Sequence, residues 1–305
     1  MIAVQVPGKV MLSGEYAVLH GGSAVMVPVP RYLKLKEIAK SDSMVYSAVV
    51  AGALEIAISE IEAYEAKYGK PDLTIDSSDF MAMDSHGNLS KLGLGLSAAE
   101  VVGVIALRFE RAGMKWSKNR DPIHKYADTV HFDVQKGLGS GADVAACAYG
   151  QPLRFKKRDD TAIVELIDEH KIIHDVPLQL VWSGKPANTR LKIERFDAWL
   201  RSGGRKSEAM LSRLIESADM LANSWFFDAA DDLFEKIDEF GEIMKEISGS
   251  AGLEYNLPIH DELDSWARKH GGRAKPTGAG GGDMILLIGE LDLKEIDQDA
   301  IKLHS

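Results

Sequence analysis

The stretch Lys91-Leu92-Gly93-Leu94-Gly95-Leu96-Ser97-Ala98-Ala99-Glu100 places two glycines, a serine and two alanines before a segment with a helical pattern. The apolar side chains of that segment recur at helical spacing at Val101, Val102, Ile105 and Phe109. Glycines let backbone amides approach an oxyanion closely, and the N-terminus of a helix favours negative charge. The stretch is interpreted either as a phosphate-binding loop, to which Ser97 adds a hydroxyl and Lys91 a cation, or as a glycine turn before a packed helix.

The composition bounds the class of protein. The chain has 305 residues, of which 45% are hydrophobic and 27% charged, and this length predicts a globular protein of two domains. The net charge of -10 argues against a general nucleic-acid or anionic-membrane surface, so an anionic ligand needs a local nest of cations. The candidate cations are Lys9, Lys91, Arg190, Lys192 and Lys275.

The same composition predicts a cytoplasmic protein. A single cysteine, Cys147, excludes an internal disulfide and fits a reducing compartment. Residues 1–10 lack the features of a signal peptide, and no apolar run approaches the length of a membrane span.

Three further stretches combine glycines with polar side chains. The first runs from Pro7-Gly8-Lys9 to Ser13-Gly14-Glu15-Tyr16, and the second is Gly139-Ser140-Gly141-Ala142-Asp143. The third, Lys275–Asp283, places four glycines in five residues before an apolar strand, which is costly in backbone entropy. Each stretch indicates a close backbone approach to a ligand, with an ordinary hairpin or flexible loop as the alternative.

The remaining pattern predicts alternating strands and helices. Strands are expected over 1–6, 10–12, 24–29, 32–38, 72–78, 151–155, 178–183 and 284–289, with prolines 28 and 30 separating two of them. Helices are expected over 47–68, 122–135, 193–201, 207–223, 228–247 and 258–270. Residues 79–90 are expected to form a loop, residues 156–161 a polar turn, and a second unit is expected to begin around 162–176.

The sequence does not satisfy the patterns of several other classes of binding site and enzyme. Gly93, Gly95 and Ala98 satisfy the dinucleotide pattern G-x-G-x-x-A, but residues 84–91 predict a polar loop instead of the buried strand that this fingerprint requires. The P-loop, H-E-x-x-H and G-x-S-x-G patterns are absent from the sequence. Phosphoryl transfer fits better, because it mainly needs positioned cations and amides together with a carboxylate that orients the accepting oxygen. Asp143, Lys9, Ser97 and Lys91 supply those groups.

The four glycine-containing stretches resemble motifs of the GHMP small-molecule kinases, and they follow one another along the chain in the order found in that family. Pro7–Lys9 with Gly14–Val18 resembles their first motif, Gly93–Ala99 their phosphate-loop second motif, and Lys275–Asp283 their third. Gly139–Asp143 is similar to the loop that carries the catalytic Asp. The resemblance implies an α+β, two-domain GHMP kinase fold, with a ribosomal protein S5 domain 2-like N-terminal domain over 1–165 and a ferredoxin-like C-terminal domain over 166–305. It also implies ATP and Mg²⁺ between the two domains.

Within the superfamily the residues are most similar to the phosphomevalonate kinase family. Tyr16 follows Gly14-Glu15, Lys91 precedes the second motif, and His131 is followed by Gln135. Mevalonate kinases usually have His in place of Tyr16 and a magnesium-binding Glu near His131, yet His20-Gly21-Gly22 is similar to that family, which stays the alternative. Leu96 departs from the usual second motif, where a serine precedes the one that corresponds to Ser97.

The resemblance implies a role for each matching residue. Asp143 and Lys9 are the expected catalytic pair, and Ser97 the Mg²⁺ contact. The expected ATP contacts are Lys91, Gly93, Leu94, Gly95, Ser97 and Ala98. The expected substrate contacts are Lys9, Glu15, Tyr16, Ser140, Gly141, Gly278, Ala279 and Gly280. Residues 77–80 are candidates for the adenine, and His131 is expected to be structural.

The expected function is an ATP-dependent kinase of a small anionic metabolite, phosphomevalonate or mevalonate, working as a monomer or homodimer without nucleic-acid or membrane partners. A decarboxylase of the same superfamily and a non-catalytic nucleotide-binding regulator are the alternatives.

Overall fold

The computed structural model describes residues 2–39, 45–84, 87–158, 161–168, 176–227, 229–296 and 300–303. Its strands are β1 (Ala3–Ser13), β2 (Ala24–Ile38), β3 (Asp72–Asp76), β4 (Met81–Met83), β5 (Leu89–Lys91), β6 (Leu153–Arg158), β7 (Thr161–Leu166), β8 (Leu178–Trp182), β9 (Arg273–Pro276), β10 (Met284–Ile288) and β11 (Ala300–Lys302). Its α-helices are α1 (Ala48–Glu55), α2 (Glu62–Tyr68), α3 (Leu96–Arg111), α4 (Arg120–Val134), α5 (Ala142–Tyr149), α6 (Thr189–Phe227), α7 (Ala230–Ala251) and α8 (Pro258–Lys269).

The strands form two larger antiparallel sheets, each covered by helices. The first sheet has the order β1-β2-β6-β7, with β3 also pairing with β2, and helices α3 and α5 pack on it. The second has the order β11-β8-β10-β9, with α8 packed against β9 and β10. Helix α6 follows β8 of the second sheet along the chain and packs on β1 and β2 of the first sheet. Its Trp225 Nε1 donates to Ser13 Oγ at 3.1 Å. The α+β prediction is therefore confirmed, while the boundary at 165/166 stays a prediction.

The prolines of β2 do not divide it into the two predicted strands. Gly8 of β1 pairs with Val29 of β2, and the preceding Pro7 pairs with Tyr32, so residues 30 and 31 bulge out of the ladder. A proline in a bulge loses no ladder hydrogen bond, because the bulged residue has no partner there. Strand β2 therefore continues through the bulge to Ile38.

The single helix predicted over 47–68 is wrong, and Arg108 explains why. Helix α1 ends at Glu55, a 3₁₀ turn follows at Ser59–Ile61, and α2 begins at Glu62. The fully buried Arg108 of α3 donates to the carbonyl oxygens of Ala53 at 2.6 Å and Ile56 at 2.9 Å. Its Nε and Nη2 donate to the two carboxylate oxygens of Glu65 at 2.7 and 2.6 Å. The guanidinium thus occupies the break and satisfies carbonyls that a continuous helix would have paired internally.

Other boundaries also differ from the prediction. The helices predicted over 193–201 and 207–223 are confirmed as two helical segments within α6, separated at the non-helical Gly204, where φ is 54° and ψ is -143°. The predicted loop 79–90 contains the hairpin β4–β5, and the strand predicted as exposed over 151–155 buries Leu153 and Phe155 and runs to Arg158 through the predicted turn. Helices α4 and α8 and strands β8 and β10 confirm their predictions. Some of the predicted positions lie outside the described residues. These are residues 1 and 228, where predicted elements begin, and residues 169–175, which belong to the expected start of the second unit.

Across the part of the chain that the structure describes, no helix combines the length and apolar character needed to cross a membrane.

The Arg108 network makes a stability prediction. Arg108→Leu keeps most of the packing volume but leaves Glu65 as a nearly buried carboxylate without its cation. Removing one partner of a buried ion pair typically costs about 3–5 kcal/mol, and we expect a loss of that order in the free energy of unfolding, measured by urea titration. The control is Arg213→Leu, which breaks an exposed ion pair to Glu246 and should change stability by less than about 1 kcal/mol. Equal losses for the two variants would contradict the assignment.

Candidate active site

A cavity of about 530 Å³ lies where the four glycine-rich stretches meet. Its wall includes Lys9, Glu15, Tyr16, Lys91, Gly93, Leu94, Gly95, Ser97, Ser140, Gly141, Asp143, Gly278 and Ala279 from the predicted site. Two further predicted residues lie behind the wall: Ala98 is buried in the core, and Gly280 packs against the ring and carbonyl of Tyr255. Of the proposed adenine segment 77–80, only Phe80 lines the cavity. The size is ordinary for a small-molecule site.

Lys9 and Asp143 form an ion pair inside this cavity. Lys9 lies on β1, and its Nζ is 3.1 Å from Asp143 Oδ1 near the N-terminus of α5. The Lys9 side chain is only 10% exposed, whereas the Asp143 side chain is 41% exposed and open to a ligand. The backbone N–H of Lys9 also donates to the carbonyl of Leu94 at 3.0 Å, which fixes β1 against the phosphate loop. A cation and a carboxylate are thereby held beside the same loop.

The two glycines of the phosphate loop have different neighbours. Gly93 has φ 79° and Gly95 has φ 81°, a left-handed conformation that favours glycine. A Cβ at Gly93 would overlap the carboxyl group of Asp283, and a Cβ at Gly95 would lie 2.7 Å from Lys9 Cε. Glycine is therefore needed twice over, for the backbone conformation and for the close approach of a charged side chain. Beyond Gly95, the first residues of α3 line the cavity and present the unpaired amides of a helix N-terminus.

Ser97 is held by a histidine from α4. Its Oγ lies 3.1 Å from His131 Nε2, and Gln135 Nε2 lies 2.9 Å from the same ring nitrogen. Both side chains therefore lie within hydrogen-bonding distance of the same ring nitrogen, whose role as donor or acceptor is set by the tautomer. Burial lowers the pKa of His131, while the nearby Asp143 carboxylate acts in the opposite direction. The ring of His131 thus holds the Ser97 hydroxyl in place at the start of α3.

Leu96, the departure from the family pattern, has a packing role. It is the first residue of α3, packs against the main hydrophobic core while partly exposed, and lines the cavity. The position contributes an apolar surface where a serine would contribute a hydroxyl.

Glu15 is tied to the second sheet and not open for a substrate. It is fully buried, and its Oε1 accepts from Lys275 Nζ. The same ammonium donates to the carbonyl oxygens of Leu12 at 3.1 Å and Pro276 at 2.9 Å. Burial raises the pKa of Glu15, and the charge of Lys275 opposes that shift. Lys275 therefore uses its donors inside the protein, which corrects its assignment as a cation for the ligand.

Tyr16 clamps the third glycine motif. It has φ 59°, its hydroxyl donates to the carbonyl of Ala279 at 2.9 Å, and its ring packs on Phe196 with centroids 4.8 Å apart. Burial and the neighbouring Glu15 raise the pKa of the Tyr16 phenol, so its proton stays available for this bond. Tyr16 contributes to the shape of the cavity through this clamp.

Two other candidate cations lie outside the cavity wall. Lys192 Nζ donates to the carbonyl of Glu254 beneath Gly281, where a Cβ would collide with it. Arg190 forms an exposed ion pair with Glu194 at 2.9 Å, four residues along α6. Of the five cations predicted from the sequence, Lys9 and Lys91 line the cavity.

Asp283 is the acidic cavity residue that the sequence analysis did not assign. It ends the third motif and lines the cavity, with φ 57°. Its Oδ1 accepts from the backbone N–H of Ala187 at 2.9 Å. Its place after Gly280-Gly281-Gly282 was the available signal, because a polar residue at the end of such a turn is brought close to whatever the glycines face.

Comparison with known proteins finds kinases that are similar to this chain over nearly its whole length. No family model matches the chain. A phosphomevalonate kinase from Saccharolobus solfataricus is 24% identical over 305 residues, covering 97% of this chain and 92% of the relative. A mevalonate kinase from Pyrococcus horikoshii is 25% identical over 332 residues, covering 99% of this chain and 92% of the relative.

Solved structures extend the same result. The Lin0012 protein from Listeria innocua has a TM-score of 0.79 at 20% identity, covering 98% of this chain and 96% of that chain. Streptococcus pneumoniae phosphomevalonate kinase in complex with phosphomevalonate and AMPPNP has a TM-score of 0.68 at 19% identity, covering 97% of this chain and 94% of that chain. The predicted resemblance is confirmed: the chain has the fold of the GHMP kinases. The two sequence relatives named above are ATP-dependent phosphotransferases, the enzyme class that the motifs predict here.

Gly93 provides a test of the cavity geometry. In Gly93→Ala, the new methyl group displaces the Asp283 carboxyl and distorts the phosphate loop, so we expect AMPPNP binding to weaken at least about 10-fold by calorimetry. Gly113→Ala is the matched control, because Gly113 has φ 78° but open space around its Cβ. Both variants carry about 1 kcal/mol of backbone strain, measurable by urea unfolding. Equal AMPPNP affinity in the two variants would contradict the proposed loop.

Proposed function

We propose that this protein transfers the γ-phosphoryl group of ATP to the phosphate of 5-phosphomevalonate, giving 5-diphosphomevalonate and ADP in the mevalonate pathway. The observation that carries the proposal is the Lys9–Asp143 ion pair beside the phosphate loop, in a cavity built from all four GHMP motifs. ATP is the expected donor, since the solved phosphomevalonate kinase named above was determined with AMPPNP.

The phosphate loop would position the donor. The amides after Gly95 and the dipole of α3 favour the triphosphate, and Lys91 adds a cation at the cavity wall. Phe80 offers a ring to the nucleotide side of the cavity. In phosphoryl transfer such positioning supplies most of the rate, because little covalent work falls to the protein.

Lys9 and Asp143 would serve the accepting oxygen. An oxygen of the acceptor phosphate forms the new bond to the γ-phosphorus as the bond to the ADP oxygen breaks. A phosphate monoester is largely ionised at pH 7, so Asp143 needs to orient the acceptor and not to deprotonate it. Lys9 offsets the repulsion between two anions that must approach each other. An alcohol acceptor such as mevalonate would instead require a proton to leave, and Asp143 is placed to accept it.

Mg²⁺ fits the donor set of the cavity. The metal prefers oxygen ligands and is usually held by one or two carboxylates or hydroxyls together with substrate phosphates. Ser97 Oγ and the exposed carboxylate of Asp143 both face the cavity. These residues would hold the ion, which supplies charge neutralisation to the phosphates when bound.

The acceptor skeleton also has a matching surface. Met11, Val18, Leu19 and Ile193 line the cavity together with Thr189 and Thr277. The Thr277 hydroxyl already donates to the carbonyl of Met284 at 2.9 Å, so the wall offers few free polar groups. A short branched aliphatic acid with few hydroxyls suits such a wall better than a sugar, whose many hydroxyls would need more partners.

An acceptor comparison tests the function. We expect ADP release with ATP, Mg²⁺ and 5-phosphomevalonate, and much less with mevalonate or homoserine. Turnover of mevalonate without turnover of 5-phosphomevalonate would replace the proposal by mevalonate kinase, the alternative that His20-Gly21-Gly22 favours. ATP binding without turnover of any acceptor would instead favour a non-catalytic regulator.

Two variants test the chemistry. Asp143→Asn keeps the size of the side chain, and Lys9→Met keeps the packing of the stem, so both should fold with nearly unchanged melting temperatures. We expect each to lower kcat by about 100-fold or more, because the interactions act on the reacting groups. The control is Asp133→Asn, which changes an exposed acid on α4 that does not line the cavity, and this variant should retain full kcat. Full kcat in Asp143→Asn would overturn its assignment.

A further inference from the structure

Asp283 is fixed to the segment after β8 by three hydrogen bonds. Its N–H donates to the carbonyl of Lys185 at 2.8 Å, and its own carbonyl accepts from the N–H of Ser183 at 2.9 Å. Its side-chain Oδ1 accepts from the N–H of Ala187. This bonding holds a non-glycine residue at φ 57°, a conformation that costs about 1 kcal/mol unless its surroundings impose it. The position of the carboxyl group is therefore closely determined.

The carboxyl group of Asp283 lies over Gly93, and the stem of Lys9 passes over Gly95, two residues further along the same loop. Both contacts are close enough to exclude a Cβ at either glycine, so one short loop carries an anion and a cation side by side. Asp283 Oδ1 is used by Ala187, while Oδ2 accepts no hydrogen bond from the described residues and lies at the cavity. Such an oxygen is free to act on a neighbouring charge.

Lys9 is the neighbouring cation that faces it. Burial raises the pKa of Asp283, the bond from Ala187 and the charge of Lys9 lower it, the charge of Asp143 raises it, and Lys192 has a weaker lowering effect. Asp143 lies 3.1 Å from Lys9 Nζ. The Asp283 carboxyl lies further from the ammonium, at Gly93 of the loop whose Gly95 contacts the Lys9 stem.

We propose that Asp283 is a positioning residue for Lys9: its charge, fixed at Gly93, keeps the Lys9 ammonium on the loop side of Asp143, where donor and acceptor phosphates must meet. With Asp143 alone, the ammonium is drawn towards α5 and away from the phosphate loop. The pull of Asp283 from the loop side keeps the charge within reach of both phosphates. This assignment rests on the proposed phosphoryl transfer.

The charge of Asp283 can be removed without removing its hydrogen bond. In Asp283→Asn the amide oxygen still accepts from Ala187 N–H, whereas Asp283→Ala loses both the charge and the bond. The control is Asp264→Asn, since Asp264 likewise accepts a backbone N–H, that of Ala274 at 3.0 Å, beside a cation but outside the cavity wall. Asp264→Asn should retain wild-type kcat.

A double-mutant cycle with Lys9→Met tests whether Asp283 acts through Lys9. We expect Asp283→Asn to lower kcat about 10-fold or more in the wild-type background, with the KM for ATP and the melting temperature nearly unchanged. In the Lys9→Met background the same change should alter kcat less than about 2-fold, because the cation that it positions is gone. Equal effects in the two backgrounds, or full kcat in Asp283→Asn, would overturn the proposal.

Structure determination separates this outcome from failure of the proposed function. If wild-type enzyme turns over no acceptor, the function fails, and a crystal structure of Asp283→Asn with AMPPNP decides the positioning role alone. We expect Lys9 Nζ to move towards α5 and away from the loop at Gly93–Gly95 in that variant, while in Asp264→Asn it keeps its wild-type position. An unmoved Lys9 would overturn the proposal whatever the acceptor proves to be.

Discussion

The ion pair between Glu15 and Lys275 connects the two halves of the site. Glu15 follows β1 of the first sheet and Lys275 lies on β9 of the second, and both side chains are almost completely buried. Burying two charges is expensive, and the expense is recovered only where hydrogen bonds satisfy the remaining atoms. Lys275 meets that condition with carbonyls from Leu12 and Pro276, one from each side, whereas Glu15 Oε2 is buried without a hydrogen-bond partner among the described residues. The pair therefore fixes the first glycine motif against the third, and the cavity between them has a defined width.

Glycines around this cavity share one role: each lets another part of the protein come close to the backbone. Gly14 presses on the backbone of Ser23 and Ala24, Gly93 on Asp283, and Gly281 on Lys192. In each case the glycine meets another part of the protein, which a ligand-centred interpretation of the sequence did not anticipate. The glycines of these stretches thus allow charged side chains and backbone from elsewhere in the chain to come within contact distance.

The sequence predicted which segments line the cavity better than it predicted the contacts of each side chain there. Short motifs with positive-φ glycines predicted which segments meet, because that information is local. Arg108 interrupts the predicted helix 47–68, and Lys275 and Lys192 point into the protein, since these outcomes depend on partners far along the chain such as Glu65 and Glu15. Asp283 was missed for the same reason, as its importance comes from Gly93 and Lys9 on another element.

The charge of the cavity wall then limits what the site can hold. Among the described lining residues, Lys9 and Lys91 carry positive charge and Asp143 and Asp283 negative charge, while Glu15 is balanced by Lys275 from behind. His131 adds none at neutral pH, because burial lowers its pKa. The wall therefore has no net charge to offer a triphosphate and an anionic acceptor. The helix dipole of α3 supplies only about half a charge, so most of the compensation must arrive with the ligands, as a divalent cation does with ATP.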